Sequence, residues 1–154
     1  MFDHDNVYLF GNTTITSIPR NIKRVFFGTS YNGGSSNLLL NNDYFNLEEI
    51  VFAKKSGVTI RNITINAVPN LRSVTFGNSC CRVGTTSRSD GWLTITNLPK
   101  LVELSIESNA LQDFISLVVS NLTTLETLST PAYAFQYASV FELSSKKVLL
   151  LCQI

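Results

Sequence analysis

The residues of this chain whose types could do chemistry are few: a vicinal pair, Cys80-Cys81; one histidine between two acids, Asp3-His4-Asp5; and two glutamates, Glu49 and Glu103, at equivalent places in related segments. Adjacent thiols can cycle to a disulfide or hold a soft metal. An imidazole flanked by carboxylates can hold a cation, and two carboxylates across a cleft can cut a glycosidic bond. Each chemistry needs partners that the sequence does not place nearby. Zinc takes more ligands at suitable spacing, and the third cysteine, Cys152, lies in the apolar run from Val148 to Cys152. A Ser-His or Cys-His nucleophile would have to recruit the sole histidine, His4, from a terminal segment expected to be solvated. No catalytic residue, metal ligand or cofactor is therefore expected.

The elements that must carry these residues come from a repeat. Around Leu101, the stretch LVELSIESNAL spaces Leu101, Leu104, Ile106 and Leu111 at offsets 0, 3, 5 and 10. Related segments begin at Ile22, Leu47, Leu71, Leu125 and Val148, so successive anchors are 25, 24, 30, 24 and 23 residues apart. A near-constant period in the twenties marks a solenoid. Positions that played no part in choosing the register support it. Eight, six and three residues before the anchor stand Ile63, Ile65 and Val68, then Leu93, Ile95 and Leu98, then Leu117, Val119 and Leu122. All nine are aliphatic, where a composition of 44% hydrophobic residues would give about four. The Leu47 unit aligns through Leu39, Tyr44, Ile50 and Phe52, with Asn41 breaking the pattern, and the Ile22 unit fits with one extra residue between Ile18 and Val25.

Each unit thus reads as two short strands, one alternating and one of the form LxxΦxΦ, where Φ is apolar. Turns such as NAVPN, NLPK and NLTT join them, with Pro69 and Pro99 outside the strands, where a missing N–H is tolerated. No segment shows a sustained helical period. The expected fold is mainly β: a single solenoid domain over residues 1–154 of about six coils, two short strands per coil, in parallel sheets. Residues 1–14 form a cap or arm and residues 82–91 an inserted loop.

The segment from Leu101 through Asn109 to Leu111 resembles the leucine-rich-repeat core LxxLxLxxNxL at every specified position. The pairs Ala110-Leu111 and Ala134-Phe135 are similar to the Ala-Phe step of the BspA-like subclass. The resemblance covers about residues 15 to 154 and implies a ladder with a parallel sheet on one face and a role in binding proteins or cell surfaces. The family's asparagine, which helps the backbone turn out of the strand, is kept in one unit only. Elsewhere Ser79 and Tyr133 take its place, and Cys80 and Cys81 fill the slots of Ala110 and Leu111 as small core residues.

Function is then sought on what points outward. Two and four residues after each anchor come Arg24 and Phe26, Glu49 and Val51, Ser73 and Thr75, Glu103 and Ser105, Thr127 and Ser129; these, with Arg82 and Arg88 of the loop, are the candidate binding residues. Trp92 is either an anchor for that loop or a core residue beside Leu93. A net charge of +1, with 15% charged residues, offers no basic face for nucleic acid. No run is long enough to span a bilayer, and the acidic start MFDHD does not resemble a signal peptide. An intracellular site is the default expectation, with the cell surface if the chain is a fragment. Because the sequence stops at VLLLCQI inside a unit without a polar cap, that edge is expected to meet a protein partner or a second copy. The expected function is a non-catalytic protein-interaction or assembly module. Its rivals are an adhesin or receptor fragment and a β-helix carbohydrate-active enzyme.

Overall fold

The computed structural model describes residues 4–12, 18–32, 37–82, 91–131, 133–136, 138–144 and 149–152. These contain twelve strands and no helix, and so no helix long and apolar enough to cross a membrane. Seven strands form one sheet: β1 (Asn6–Leu9), β2 (Arg24–Phe27), β4 (Glu49–Phe52), β6 (Ser73–Phe76), β8 (Glu103–Ile106), β10 (Thr127–Thr130) and β12 (Leu149–Cys152), in that order. Five form the other: β3 (Asn37–Leu40), β5 (Asn62–Asn66), β7 (Gly91–Thr96), β9 (Phe114–Ser120) and β11 (Val140–Ser144). From β2 to β12 the chain alternates between the sheets, and every pair of neighbouring strands is parallel. This mainly β, repeat-like arrangement is compatible with a solenoid.

Alternation along each strand explains the core. In β2, β4, β6 and β8 the second and fourth residues point inward, so Val25, Ile50, Val74 and Leu104 form one buried column and Phe27, Phe52, Phe76 and Ile106 a second. The rings of Phe27 and Phe52 stack at 4.3 Å, and those of Phe52 and Phe76 at 4.9 Å. Facing them, Ile63, Leu93 and Leu117, then Ile65, Ile95 and Val119, line the inside of the second sheet.

One register differs from the sequence alignment. Leu39 was expected to align with Ile63, but Leu38 pairs with Ile63 and Leu40 with Ile65, leaving Leu39 outward and 59% exposed. A slip of one residue exchanges the two faces of a strand. Its cause is one extra residue in the turn between β3 and Leu47, which keeps both Leu38 and Leu40 in the core.

The corners show how the repeat closes. Glu48, Arg72 and Val102 sit one residue after an anchor, and each carbonyl accepts two N–H groups from the next unit. Glu48 O receives Arg72 N at 2.8 Å and Ser73 N at 3.3 Å, and Arg72 O receives Val102 N at 2.9 Å and Glu103 N at 3.2 Å. After the strand, residues eight and ten past the anchor take positive φ: Ser79 and Cys81 (56° and 50°), Asn109 and Leu111 (58° and 54°), Tyr133 and Phe135 (65° and 53°). This left-handed conformation costs about 1–2 kcal/mol in a residue with a Cβ. It turns the peptide so that Ser79 N donates forward to Ser108 O at 3.0 Å while Cys81 N donates backward to Ser56 O at 2.7 Å. The bonds to both neighbours offset that cost, so the left-handed corner persists where Ser79 and Tyr133 stand in place of an asparagine.

An asparagine ladder does exist, at the opposite corner. Asn97 Nδ2 donates to Asn66 Oδ1 at 2.9 Å, and Asn121 Nδ2 donates to Asn97 Oδ1 at 2.6 Å. Asn97 and Asn121 have φ of 57° and 52°, in the left-handed region that asparagine tolerates better than most residues. Their backbone N–H groups donate forward, to Ser120 O at 3.3 Å and Ser144 O at 3.0 Å.

Candidate functional site

The outer face of the seven-stranded sheet carries two rows, because residues between the core positions of each strand point to solvent. In register, the first row runs Asn6, Arg24, Glu49, Ser73, Glu103 and Thr127. The second runs Tyr8, Phe26, Val51, Thr75, Ser105 and Ser129. All ten candidates drawn from the strands therefore share one surface, half-buried or exposed. Glu49 and Glu103 are separated by Ser73, which places their strands about 10 Å apart.

The two halves of this face differ. Over β6, β8 and β10 it carries Ser and Thr with one acid, Glu103. Over β1, β2 and β4 it dips into a groove of about 240 Å³ lined by Asn6, Tyr8, Arg24, Phe26, Glu49 and Val51. The rings of Tyr8 and Phe26 meet tilted at 56° with centroids 5.9 Å apart, and Phe10 approaches Phe26 at 6.4 Å. Phe10 is held by a close approach: a Cβ on Gly28 would fall 2.2 Å from two atoms of its ring, so the ring lies directly over that glycine. Along the polar row, Arg24 Nε contacts Glu49 Oε2 at 3.1 Å. Beside it, Lys23 Nζ meets Asp5 Oδ2 at 3.1 Å, and Asp5 O accepts the N–H groups of Lys23 and Arg24, which locks β1 onto β2.

Asn6, Tyr8 and Phe10 were missed in the sequence because the repeat was read from Ile22 onward. The signal was present: NVYLF alternates like RVFF, with Val7 and Leu9 buried and Tyr8, 36% exposed, outward. The spacing hid it, since β1 precedes β2 by 18 residues, short of the period.

The other candidates lie elsewhere. Arg82 is exposed and its charge opposes the upward push that burial gives the Asp113 carboxyl. Arg88 lies outside the described residues, as does the rest of the expected loop except Arg82 and Gly91. Trp92 is not in the core: it is 46% exposed on the outer face of the five-stranded sheet, between Asn62 and Ser116. Cys80 and Cys81 are fully buried, and burial, aided by a hydrogen bond in which the Cys80 thiol donates to Cys81, pushes the Cys80 thiol well above its ordinary pKa. A thiol kept protonated is a core group and a poor nucleophile. His4 is exposed, and among the described residues no three His, Cys, Asp or Glu side chains gather as a metal site.

The groove thus combines stacking surface with one cation and one carboxylate already facing each other. Its lining groups able to take part in chemistry are the Glu49 carboxylate, the Arg24 guanidinium and the Tyr8 hydroxyl, and no lining residue is His, Cys, Ser or Lys. The chain matches no protein-family model, no curated protein and no solved structure.

Proposed function

We propose that this chain is a non-catalytic binding module, a leucine-rich-repeat-like solenoid of about six coils that engages a protein partner through the outer face of its seven-stranded sheet. The observation that carries this reading is the groove at Tyr8, Phe26 and Val51, where aromatic and aliphatic surface faces solvent beside Arg24 and Glu49. Aromatic anchors in a concave site with a few polar groups at its edge are the usual content of a binding surface. Side chains that stand on paired strands order little on binding, which limits the entropic cost of association.

The test is affinity purification of the full chain from its native source, with mass spectrometry, run in parallel on the wild type and on Val51→Arg. That substitution fills the groove from an outward position and leaves the core untouched. A partner retained by the wild type and lost by the variant supports the reading; identical recoveries from both, with both folded, would remove it.

A further inference from the structure

We infer that the group bound in the groove over β1, β2 and β4 is a neutral pyranose ring of a glycan carried by the protein partner. This rests on the reading of that face as the binding face and specifies what it recognises.

Four observations lead there. First, the groove lies over strands whose ladders are complete on both sides of β2: Arg24 to Phe27 pair in register with β1 on one side and β4 on the other. No backbone donor or acceptor of β2 remains for an incoming strand, so over the middle of the groove recognition falls to side chains. Second, Arg24 and Glu49 neutralise one another at 3.1 Å, so the groove presents donors and acceptors without net charge. Such a pair disfavours a phosphate or a lone cation, either of which would have to break it. It suits vicinal hydroxyls, which both donate and accept.

Third, the polar and apolar groups are segregated in rows. Asn6, Arg24 and Glu49 form one line across the strands, and Tyr8, Phe26 and Val51 the next line, two residues further along each strand. A pyranose has the same division: a face of C–H groups that packs on aromatic rings, and a rim of hydroxyls that needs hydrogen bonds. Laid over Tyr8 and Phe26, it turns its rim toward Arg24 and Glu49. Fourth, a volume of about 240 Å³ is enough to seat one such ring. The Ser and Thr rows continuing toward β10 would then meet whatever the ring is attached to.

The experiment titrates the full chain with methyl α-mannopyranoside, methyl β-galactopyranoside, methyl β-glucopyranoside and methyl β-N-acetylglucosaminide, following the aromatic proton resonances by NMR. The expected result is saturable shifts of the Tyr8 and Phe26 ring signals with at least one sugar, weakened about tenfold by Phe26→Ala and by Val51→Arg, in line with the loss of one aromatic contact. The two variants act by removing and by filling, so one remains informative if the other misfolds. No shift with any of the four sugars at tens of millimolar, or saturable shifts that both folded variants leave unchanged, overturns the inference. If the partner captured by affinity purification is still bound after enzymatic removal of its glycans, and is still lost with Val51→Arg, the glycan is refuted while the binding face stands. If capture is indifferent to Val51→Arg, the face itself is refuted.

Discussion

At the scale of single residues, the core contains groups whose protonation matters only because they are buried. Tyr31 is fully buried, its ring meets Phe27 edge-on at 5.2 Å, and its hydroxyl has no hydrogen-bond partner among the described residues. Burial pushes its pKa from 10.0 up to about 12. The folded chain therefore holds this proton longer than the unfolded chain does. The resulting stability is complete below about pH 10 and is lost as pH rises toward 12, with a slope of up to about 1.4 kcal/mol per pH unit. Cys80, also raised, acts with the same sign from the ordinary thiol range upward. Urea midpoints should accordingly fall on going from about pH 8 to about pH 11, and Tyr31→Phe should flatten the decline above pH 10. Equal slopes in wild type and variant would show that Tyr31 is not the group responsible. None of this was legible in the sequence, where Tyr31 lies in the irregular stretch after β2 and carries no periodic signal.

At the scale of the element, strands were readable and corners were not. The alternation of Ile63 with Ile65, or Leu93 with Ile95, identifies an inward face because a strand has a period of two. The slip at Leu39 shows the limit: periodicity fixes a face within a strand but not the number of residues a turn consumes. The outward rows were legible for the same reason the core was, whereas the groove depends on Tyr8, which the irregular spacing of β1 concealed. The asparagine corner makes a sharp test. Asn97 donates to Asn66, accepts from Asn121 and holds a left-handed φ of 57°. Replacing it with alanine removes two side-chain bonds, each of net value about 0.5–1.5 kcal/mol, and adds conformational cost. Asn97→Ala should therefore lose about 2–4 kcal/mol of unfolding free energy by chemical denaturation, and Asn97→Gly about 1–3, since glycine accepts the left-handed backbone. If glycine proves as costly as alanine, backbone conformation contributes nothing at this corner.

At the scale of the whole molecule, each strand bonds only to its neighbours, so stability is distributed unit by unit. The distribution is uneven. Gly28, Ala53, Gly77 and Glu107 each follow a strand and donate an N–H to the unit before, to Leu9, Phe27, Phe52 and Phe76 respectively. Pro131 occupies the same place after β10 and has no N–H to give. Thr130, just before it, is a largely buried polar residue following the line of Phe52, Phe76 and Ile106. Hydrogen exchange should therefore be slowest in β4 and β6 and distinctly faster in β10 and β11, with β10 opening at a lower free energy than the global value. Uniform protection from β4 to β11 would show a fully cooperative block instead. The column that runs Phe27, Phe52, Phe76, Ile106 and then to Thr130 has one more consequence. Side-chain volume is level across the three phenylalanines and falls at Ile106 and again at Thr130, so the units at that end fit only beside neighbours of matching size. Exchanging the segments that carry β4 and β10 would set a phenyl ring beside Ile106 and a threonine between the rings of Phe27 and Phe76. Repeats that look interchangeable in outline are thus not modular parts at this end of the column: the units of Ile106 and Thr130 each fit one place in the order.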